Sequence, residues 1–336
     1  MKAAMLYGRH DLRVEDRPVP EVGPGQVLLK VSYCGICGSD VHSFEGMQAN
    51  IHPRPAGPRA MGHEVAGVVA EVGPGVATCR PGDRVTCIPW ATCGACYYCR
   101  RGLVNHCVDK QLLGGAMAEY CLAPAATVHR IPDSLSLERA ALAEPLSCCL
   151  WAIDLAAIGS GATVAIIGAG TMGLLLLQLA KASGAARTVI SEPHAARRAV
   201  AAQLGAGLIV DPHETDLLAA VNQLTDGIGV DAALEAVGHP ATVAEAMRIT
   251  RRAGTVVIVG VADPAARLEV SPFDIYLREL TIRGCFTRRL TFDRGLHWLG
   301  ALDLDPIITH IFPLTEVNQA MEYARTGQAA KVLIAP

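Results

Sequence analysis

The most constraining feature of this sequence is the stretch between residues 162 and 283, in which fully apolar segments alternate with helix-forming ones. It opens with the predicted strand Thr163 to Ile167 and the predicted helix Thr171 to Ser183. The same alternation continues through strand Thr188 to Ser191, helix His194 to Leu204, strand Leu208 to Val210, helix Glu214 to Leu224, strand Val230 to Glu235, helix Pro240 to Thr250, and strands Thr255 to Val259 and Leu280 to Arg283. Apolar strands separated by helices are typical of a parallel sheet covered on both faces. The stretch therefore predicts a doubly wound α/β fold.

The first third of the chain has a different pattern, in which short β-prone runs are divided by Pro/Gly turns. The predicted strands are Val27 to Tyr33, Glu64 to Val72, Arg84 to Ile88 and Ala118 to Leu122. This pattern predicts an irregular antiparallel β domain. Helix formers take over near Glu138, and the tail after about Gly284 is expected to hold one helix, Phe292 to Leu302. A final strand, Lys331 to Ile334, is expected to rejoin the first domain.

Composition limits the class of protein and its partners. A chain of 336 residues with 51% hydrophobic and 18% charged residues is long enough for two folded domains. The formal net charge of -3 gives no positive field for nucleic acid or anionic membranes, so neither partner is expected. The N-terminus lacks a signal-peptide pattern, and the apolar stretch from Gly173 to Ala180 is too short to span a membrane. A soluble cytoplasmic protein is expected.

A glycine-rich turn follows the first predicted strand of the α/β stretch. Gly168, Gly170 and Gly173 form a G-x-G-x-x-G motif, with Thr171 and Met172 between the last two glycines. Glycines at these positions permit a tight turn, a close approach of pyrophosphate and close helix packing, while the helix N-terminus attracts the anion. The motif can also be a tight turn without a ligand, but its place between strand and helix favours a dinucleotide site.

The choice between NAD and NADP depends on residues after the second predicted strand. Glu192 stands where an acidic side chain accepts hydrogen bonds from the adenosine ribose hydroxyls, and it would repel a 2′-phosphate. Arg197 and Arg198 are counter-evidence, because either could reach a 2′-phosphate if Glu192 turned away; a solvated helix face is the other interpretation. We expect NAD rather than NADP.

The twelve cysteines are unusual in a chain without an export signal, which favours metal binding or catalysis over disulfides. Cys93, Cys96, Cys99 and Cys107 have the spacing C-x2-C-x2-C-x7-C. Four thiolates this close in sequence can close a tetrahedral shell around zinc, which leaves no position for substrate. The loop therefore predicts a structural zinc site. Packed thiols and an iron-sulfur cluster are the alternatives.

A second set of metal-binding residue types is mixed. Cys37 offers a sulfur, His63 a nitrogen, and Glu64 and Glu144 offer carboxylate oxygens. A zinc ion with three or fewer firm protein ligands keeps a position for an alcohol oxygen, as a catalytic ion requires. Each residue alone is weak evidence, since a lone histidine is more often structural. Together with the four-cysteine loop and the glycine motif they indicate an enzyme.

With these motifs in this order, the whole chain resembles the zinc-containing medium-chain dehydrogenases. The resemblance rests on the segments Cys34 to Asp40, Gly62 to Glu64, the four-cysteine loop, the glycine motif and the terminal Gly-x-x-x-Lys-Val-Leu-Ile. The sequence Glu144-Pro145-Leu146 resembles that of the polyol branch of the family, in which a carboxylate replaces the third ligand cysteine of liver-type alcohol dehydrogenases. This branch includes sorbitol, galactitol-phosphate and threonine dehydrogenases. The resemblance implies a GroES-like β catalytic domain (1–148), a Rossmann domain (149–287) and a C-terminal segment that completes the catalytic domain (288–336).

The resemblance also implies a ligand set for the catalytic zinc. Cys37 and His63 would hold the ion, with Glu64 as a direct or exchangeable ligand and Glu144 binding directly or through water. Asp40 would orient His63.

The remaining implied roles concern the proton. Ser39 would take the substrate hydroxyl proton, and His42 would pass it towards solvent. Independently of the resemblance, ligands of doubly wound sheets bind at the carboxyl ends of the strands where the strand order reverses. The residues expected near the nicotinamide on this ground are Val237, Gly238, Val259 and Gly260.

The expected activity is hydride transfer between a secondary alcohol, such as a polyol, sugar alcohol or cyclitol, and NAD, by a homodimer or homotetramer. Sorbitol dehydrogenases usually carry an arginine close to the turn that corresponds to Gly284 to Phe286. Here Thr287 follows that turn and Arg288 comes one residue later, so the identity of the substrate is left open. The segment Gln48 to Arg59, with His52 and Arg54, is either part of the substrate mouth or a solvated loop. The alternatives are a zinc-free quinone or enone reductase of the same fold and a non-catalytic protein that binds zinc and nucleotide.

Overall fold

The computed structural model describes residues 1–47 and 57–336. The described residues divide into two compact units. One comprises Met1–Ser147 together with Arg289–Pro336, and the other comprises Cys148–Arg288. The expected segment Gln48 to Arg59 lies mostly outside the described residues, including His52 and Arg54.

The unit Cys148–Arg288 is built on a parallel sheet. Its strands, in chain order, are Thr163–Ile167, Arg187–Ser191, Leu208–Val210, Val230–Glu235, Thr250–Ile258 and Thr281–Gly284. Numbered in this order, they lie in the sheet as 3-2-1-4-5-6. The reversal of strand order falls between Thr163–Ile167 and Val230–Glu235, which pair in parallel. This is the doubly wound arrangement, in which a crevice opens at the carboxyl ends of those two strands.

Helices flank this sheet. They are Thr171–Ala182, Ala195–Gln203, Leu217–Thr225, Pro240–Ile249 and Pro272–Arg278. Thr163–Ile167 is buried along its whole length, as a strand covered on both faces must be. The helix Pro272–Arg278 was missed by the sequence analysis; Pro272 begins it and the Ser271 side chain caps it. All its residues are at least partly exposed, so it lacks the apolar periodicity that predicts a helix.

The unit that contains both chain termini is mainly antiparallel β structure. Its largest sheet follows the order Val128–Arg130, Arg84–Cys87, Glu64–Val72, Gln26–Gly35, Lys331–Ala335, Ile308–Pro313, with Tyr120–Pro124 also pairing to Gln26–Gly35. A second sheet has the strand order Asp11–Asp16, Lys2–Gly8, Arg59–Ala60. A third sheet pairs Trp90–Thr92 with Lys110–Leu112. The C-terminal strand Lys331–Ala335 pairs with Gln26–Gly35. The last residues of the chain therefore lie beside the first predicted strand.

The helices of this unit are short apart from one. They are Gly38–Phe44, Leu137–Ala140, Ala143–Ala156, which continues into the other unit, Phe292–Trp298 and Val317–Arg325. The expectation of a single helix in the tail is wrong, because Val317–Arg325 is a second one. Val317, Ala320 and Met321 are buried on one side of it, at the spacing of one helix face. Polar residues on its other face, such as Asn318 and Gln319, complete the amphipathic pattern, so this helix could have been predicted from the sequence.

None of the helices in the described ranges is long and apolar enough to cross a membrane.

Candidate active site and metal centres

The short helix Gly38–Phe44 carries several of the predicted catalytic residues. Cys37 is its N-cap residue, and its backbone N–H donates to Asp40 Oδ2 at 3.0 Å. This hydrogen bond holds Asp40 against the start of the helix, where a carboxylate is also favoured by the helix dipole. Ser39 and His42 lie three residues apart on the same helix, so they are neighbours on its surface.

Two glycines make room for the second group of predicted ligands. Gly62 has φ +89°, and a Cβ there would lie 2.6 Å from Cys34 Sγ. Gly35 pairs with Glu64 across the sheet, and a Cβ on Gly35 would lie 2.0 Å from Glu64 Oε2. The Glu64 carboxylate therefore occupies space that only a glycine neighbour leaves open.

The structure brings Cys37, His63 and Glu64 together. One donor atom from each residue lies within 4.8 Å of the others, and the carboxylate of Glu64 is buried. A sulfur, an imidazole nitrogen and a carboxylate oxygen at this separation suit zinc, which takes these ligand types with bonds of about 2.0 to 2.3 Å. The residues present thus fit a zinc ion with an open position.

Asp40 lies beside His63. Its Oδ1 lies 3.7 Å from His63 Nδ1. Burial alone lowers the pKa of His63, but the charges of Asp40 and Cys37 outweigh it and raise that pKa well above its usual value. Asp40 is placed to fix the ring, with the other imidazole nitrogen left for a metal.

Lys331 contacts the predicted ligand Glu64, although no sequence pattern assigned it a role. Its side chain is 2% exposed, and its Nζ donates to Glu64 Oε2 and, at 3.0 Å, to the Ile36 carbonyl. Burial raises the pKa of Glu64, and Lys331 opposes that effect. A single lysine in the apolar run Lys331–Ala335 is a signal for a buried partner, because lysine is almost never fully buried without one.

Glu144 lies in the first turn of Ala143–Ala156 and is buried. Its negative charge raises the pKa of both Glu64 and Lys331, although it is not the main cause in either case. Its carboxylate does not belong to the group of donors within 4.8 Å that the described residues form. Glu144 is thus an electrostatic neighbour of Glu64 and Lys331 that stands outside the group of three donors.

The four cysteines of the loop form the other metal-binding group in the described part of the chain. Their sulfur atoms all lie within 4.8 Å of one another, with Cys93 Sγ 3.6 Å from Cys107 Sγ and 4.0 Å from Cys99 Sγ. Four sulfurs bound to zinc at 2.3 Å in a tetrahedron would be about 3.8 Å apart. Backbone N–H groups, first that of Cys99, lower the pKa of Cys96 to about 6. The loop therefore fits a closed four-thiolate zinc shell.

The remaining cysteines show no metal-binding group among the described residues. None of them forms a disulfide within the described ranges, and those at 34, 79, 87, 121, 148 and 149 are buried while Cys285 is partly exposed. This agrees with the expectation that most of them pack as small apolar side chains.

The glycine motif lies between Thr163–Ile167 and Thr171–Ala182 as predicted. Gly168 has φ +96°, and a Cβ on Gly173 would lie 1.8 Å from the Gly168 carbonyl oxygen. Both positions therefore require glycine. Thr171 begins the helix and Met172 follows, with its sulfur 3.8 Å from Cys149 Sγ.

Glu192 is held more tightly than the sequence indicated. Its side chain is buried, Oε2 accepts from the Ala169 N–H at 2.7 Å and Oε1 accepts from the His194 N–H at 2.9 Å. The carboxylate therefore joins the end of the second strand to the glycine turn.

The two arginines differ in their surroundings. Arg198 forms an ion pair with Asp211 at 2.8 Å and donates to the carbonyls of Glu192 and Pro193. Arg197 lies 3.9 Å from Glu192 Oε2, and its guanidinium is about 4 Å from where a Cβ of Gly170 would be. Burial lowers the pKa of Arg197. Arg197 thus faces the glycine turn, while Arg198 is committed to structural contacts.

The predicted nicotinamide-side residues follow two neighbouring strands. Val237 is 49% exposed and Gly238 has φ +84°. The N–H groups of Val259 and Gly260 both donate to the carbonyl of Glu235. These residues lie at the carboxyl ends of Val230–Glu235 and Thr250–Ile258.

Comparison with known proteins identifies the family. Residues 23–133 match the alcohol dehydrogenase GroES-like domain, and residues 171–301 match the zinc-binding dehydrogenase domain. The chain belongs to the zinc-binding alcohol dehydrogenases. It is 39% identical to the L-threonine 3-dehydrogenase of Pyrococcus abyssi, over 99% of this chain and 97% of that protein. It is 35% identical to the sorbitol dehydrogenase of Bombyx mori, with 99% and 97% covered.

Solved structures agree with this assignment. A zinc-binding dehydrogenase from Sinorhizobium meliloti 1021, bound to NADP, is 36% identical, with a TM-score of 0.94 over 100% of this chain and 99% of that one. The fold class, a GroES-like β region with a Rossmann-like parallel sheet, is confirmed. The chain is an oxidoreductase of the zinc-dependent alcohol dehydrogenase type, as the sequence predicted.

Proposed function

We propose that this enzyme oxidises a secondary alcohol of the polyol type with NAD, using zinc held by Cys37, His63 and Glu64. Glu144 completes the set through water. The observation that carries the proposal is the group of three different donors within 4.8 Å of one another. Bound zinc would supply a Lewis acid that lowers the pKa of a substrate hydroxyl.

The residues around these three ligands transfer the proton, orient the histidine ligand and neutralise the buried carboxylate. Ser39 Oγ takes the hydroxyl proton of the substrate, and the imidazole of His42 passes it towards solvent. Asp40 holds the His63 ring, and Lys331 neutralises the Glu64 carboxylate through their buried ion pair. The charge balance at the site is therefore set by protein groups as well as by the metal.

The four-cysteine loop has a structural role in this proposal. Its second zinc ion would be enclosed by Cys93, Cys96, Cys99 and Cys107, with no position left for substrate. We assign residues 1–148 and 288–336 to the catalytic domain and residues 149–287 to dinucleotide binding.

The cofactor preference rests on Glu192. Its carboxylate is fixed by two backbone N–H groups, so it cannot easily turn away from a 2′-phosphate, which it would repel. Arg198 is held by Asp211, which leaves Arg197 beside the glycine turn as the cation for the pyrophosphate. The preference for NAD is tested by kcat/KM with each cofactor. Glu192→Ala should lower the ratio of kcat/KM with NAD to kcat/KM with NADP. Glu214→Ala, at an exposed position, should leave this ratio unchanged.

An exposed apolar surface supports the proposed homodimer or homotetramer. Phe273, Tyr276 and Leu277 on Pro272–Arg278 are more than half exposed, and Ile282 lies on the edge strand Thr281–Gly284. An edge strand with unpaired backbone groups beside an apolar patch suits a symmetric contact with a second copy. Tyr276→Glu should shift the mass measured by light scattering towards the monomer.

We place the enzyme in the cytoplasm, because the thiols of Cys93, Cys96, Cys99 and Cys107 lie within 4.8 Å of one another, as reduced ligands of a zinc ion would. Free thiols persist in reducing compartments.

The decisive experiment follows the absorbance of reduced nicotinamide with zinc-loaded protein. The substrates are sugar alcohols, amino alcohols and simple secondary alcohols, each with NAD and with NADP. The proposal expects the highest kcat/KM for a polyol with NAD, together with zinc at both sites by metal analysis. Highest activity on an amino alcohol would replace the polyol assignment, and activity on enones without zinc would overturn the proposal.

A further inference from the structure

Glu235 is a buried carboxylate that has no part in the roles described above. It is the last residue of Val230–Glu235, and its side chain is 0% exposed. No ion pair involves it among the residues that the structure describes. A buried charge is costly unless hydrogen bonds compensate it, so the contacts of Glu235 indicate what it is for.

One carboxylate oxygen has three donors. Glu235 Oε1 accepts from the N–H of Val237 at 2.9 Å, from the N–H of Gly238 at 2.7 Å and from Thr242 Oγ1 at 2.8 Å. The other oxygen, Oε2, has no hydrogen-bond partner within the described ranges. The side chain therefore binds the Val237–Gly238 turn that follows its own strand, and through Thr242 it links that turn to the helix Pro240–Ile249.

The main chain of Glu235 holds a second turn. Its carbonyl accepts from the N–H of Val259 at 2.8 Å and of Gly260 at 2.9 Å. The two turns are in close contact, since a Cβ on Gly260 would lie 2.0 Å from the Gly238 nitrogen and one on Gly238 would lie 2.5 Å from the Val261 carbonyl oxygen. Neither turn can move independently of the other.

This arrangement presents an apolar surface at the strand ends. Val237 and Val261 are 49% and 44% exposed, although both are large apolar residues in a well-packed unit. Val237 Cγ2 also lies 2.9 Å from where a Cβ of Gly168 would be, so it touches the first glycine of the dinucleotide motif. Gly168 and Val237 follow the two strands that flank the reversal of strand order, where ligands of such sheets bind.

We propose that Glu235 is a positioning residue for the nicotinamide half of the cofactor. Its carboxylate holds the Val237–Gly238 turn against Gly260, so that the apolar surface is formed before the dinucleotide binds. Preorganisation of this kind lowers the free energy cost of ordering a binding site. This inference rests on the proposed function, because it takes a nicotinamide dinucleotide to be the ligand. It assigns Glu235 no contact with that ligand.

The test compares a ligand that has a nicotinamide with one that lacks it. The dissociation constants of NADH and ADP are measured on the zinc-loaded, full-length protein for wild type, Glu235→Ala, Glu235→Gln and Thr242→Val. In Glu235→Ala, we expect NADH binding to weaken about tenfold and ADP binding to stay within about twofold, since the hydrogen bonds lost all lie on the nicotinamide side. Glu235→Gln keeps an oxygen acceptor and should restore most of the NADH affinity. The exposed Glu269→Ala is the control.

The outcomes separate the possible causes. A general structural role would weaken NADH and ADP equally, and such a result, or unchanged NADH binding in Glu235→Ala, would overturn the inference. If Glu235→Ala does not fold, Thr242→Val decides, because loss of one donor should change the NADH/ADP ratio in the same direction by a smaller factor. Wild-type protein that binds ADP but neither NADH nor NADPH would instead overturn the proposed cofactor, and with it the nicotinamide assignment of Glu235.

Discussion

The two candidate metal sites lie in the same unit but are built in different ways. The thiols of the four-cysteine loop all come from residues 93–107, on a loop whose residues are largely exposed. The mixed site takes Cys37 from the start of a helix and His63 and Glu64 from the start of a strand. Its lysine, Lys331, comes from the C-terminal strand. One site is local in sequence, and the other is assembled by the fold.

The sites also differ in how their charges are balanced without a metal. At the mixed site, Glu64 is paired with Lys331 and His63 faces Asp40. In the loop, Arg100 donates to the Ala95 carbonyl and Arg101 lies over the Tyr97 ring. Among the described residues, nothing comparable pairs with the four sulfurs of the loop when they are ionised, so we expect the loop to depend on a bound zinc ion for its structure. The charges of the mixed site are already paired, so we expect a metal there to be needed mainly for chemistry.

The largest expected effect tests the chemical role of the mixed site. Cys37→Ala and His63→Ala should each lower kcat/KM on the order of 10³-fold or more, because each removes a ligand of the catalytic ion. NADH affinity, measured by titration, should remain close to wild type. Cys79→Ala is the control, a buried thiol outside both groups. Turnover preserved in both ligand variants would remove the basis of the zinc assignment.

The next effect tests the structural role of the loop. Cys107→Ser should remove the loop zinc and lower the free energy of unfolding on the order of 4 kcal/mol. Metal analysis should show the loss of that ion, and trypsin should cut faster at Arg100 and Arg101. If the variant keeps wild-type stability and protease resistance, the loop does not need a metal.

A smaller effect tests the preformed charge balance. Lys331→Met should lower the free energy of unfolding of the metal-free protein by about 3 kcal/mol, because it leaves Glu64 buried without its cation. Lys331→Arg keeps the positive charge, so its free energy of unfolding should fall by less. The double variant Lys331→Met with Glu64→Gln should recover part of the loss, as expected for a coupled pair. Additive losses in the denaturation midpoints would argue against a direct pair.

The smallest effect concerns Asp40. Asp40→Asn should weaken zinc binding at the mixed site by about 10- to 100-fold, because the histidine ligand loses its charged neighbour. Competition with a chelator measures this affinity, and the loop zinc serves as an internal control. The exposed Asp133→Asn should change neither site. Equal loss of zinc from both sites would point to a general destabilisation instead.

Sequence patterns predicted structure correctly where the relevant residues are close together in the chain. The spacing of the four cysteines and the glycine motif each lie within a short segment, and their neighbours in sequence are their neighbours in space. The strands and helices of the parallel-sheet unit could be predicted for the same reason, because apolar periodicity is a local property of the sequence. The tail is an exception, because Val317–Arg325 was not predicted although its buried residues have the helical period.

Contacts between distant segments of the chain left no pattern in the sequence from which they could be predicted. Lys331 and Gly35 have no local motif that marks them as partners of Glu64, yet one supplies the charge and the other the space for that carboxylate. The two bonds that hold Glu192, and those that Glu235 makes to two turns, were equally hidden.

The order of residues in the chain thus specified the family, the fold class and the types of ligand atoms available for zinc. Which carboxylate lies among the zinc donors, which cation balances it and which backbone groups hold the cofactor residues depended on how the strands pack. The physical reason is that ligand types are properties of single side chains. Distances, burial and charge pairing are properties of residues that meet only when the chain has folded.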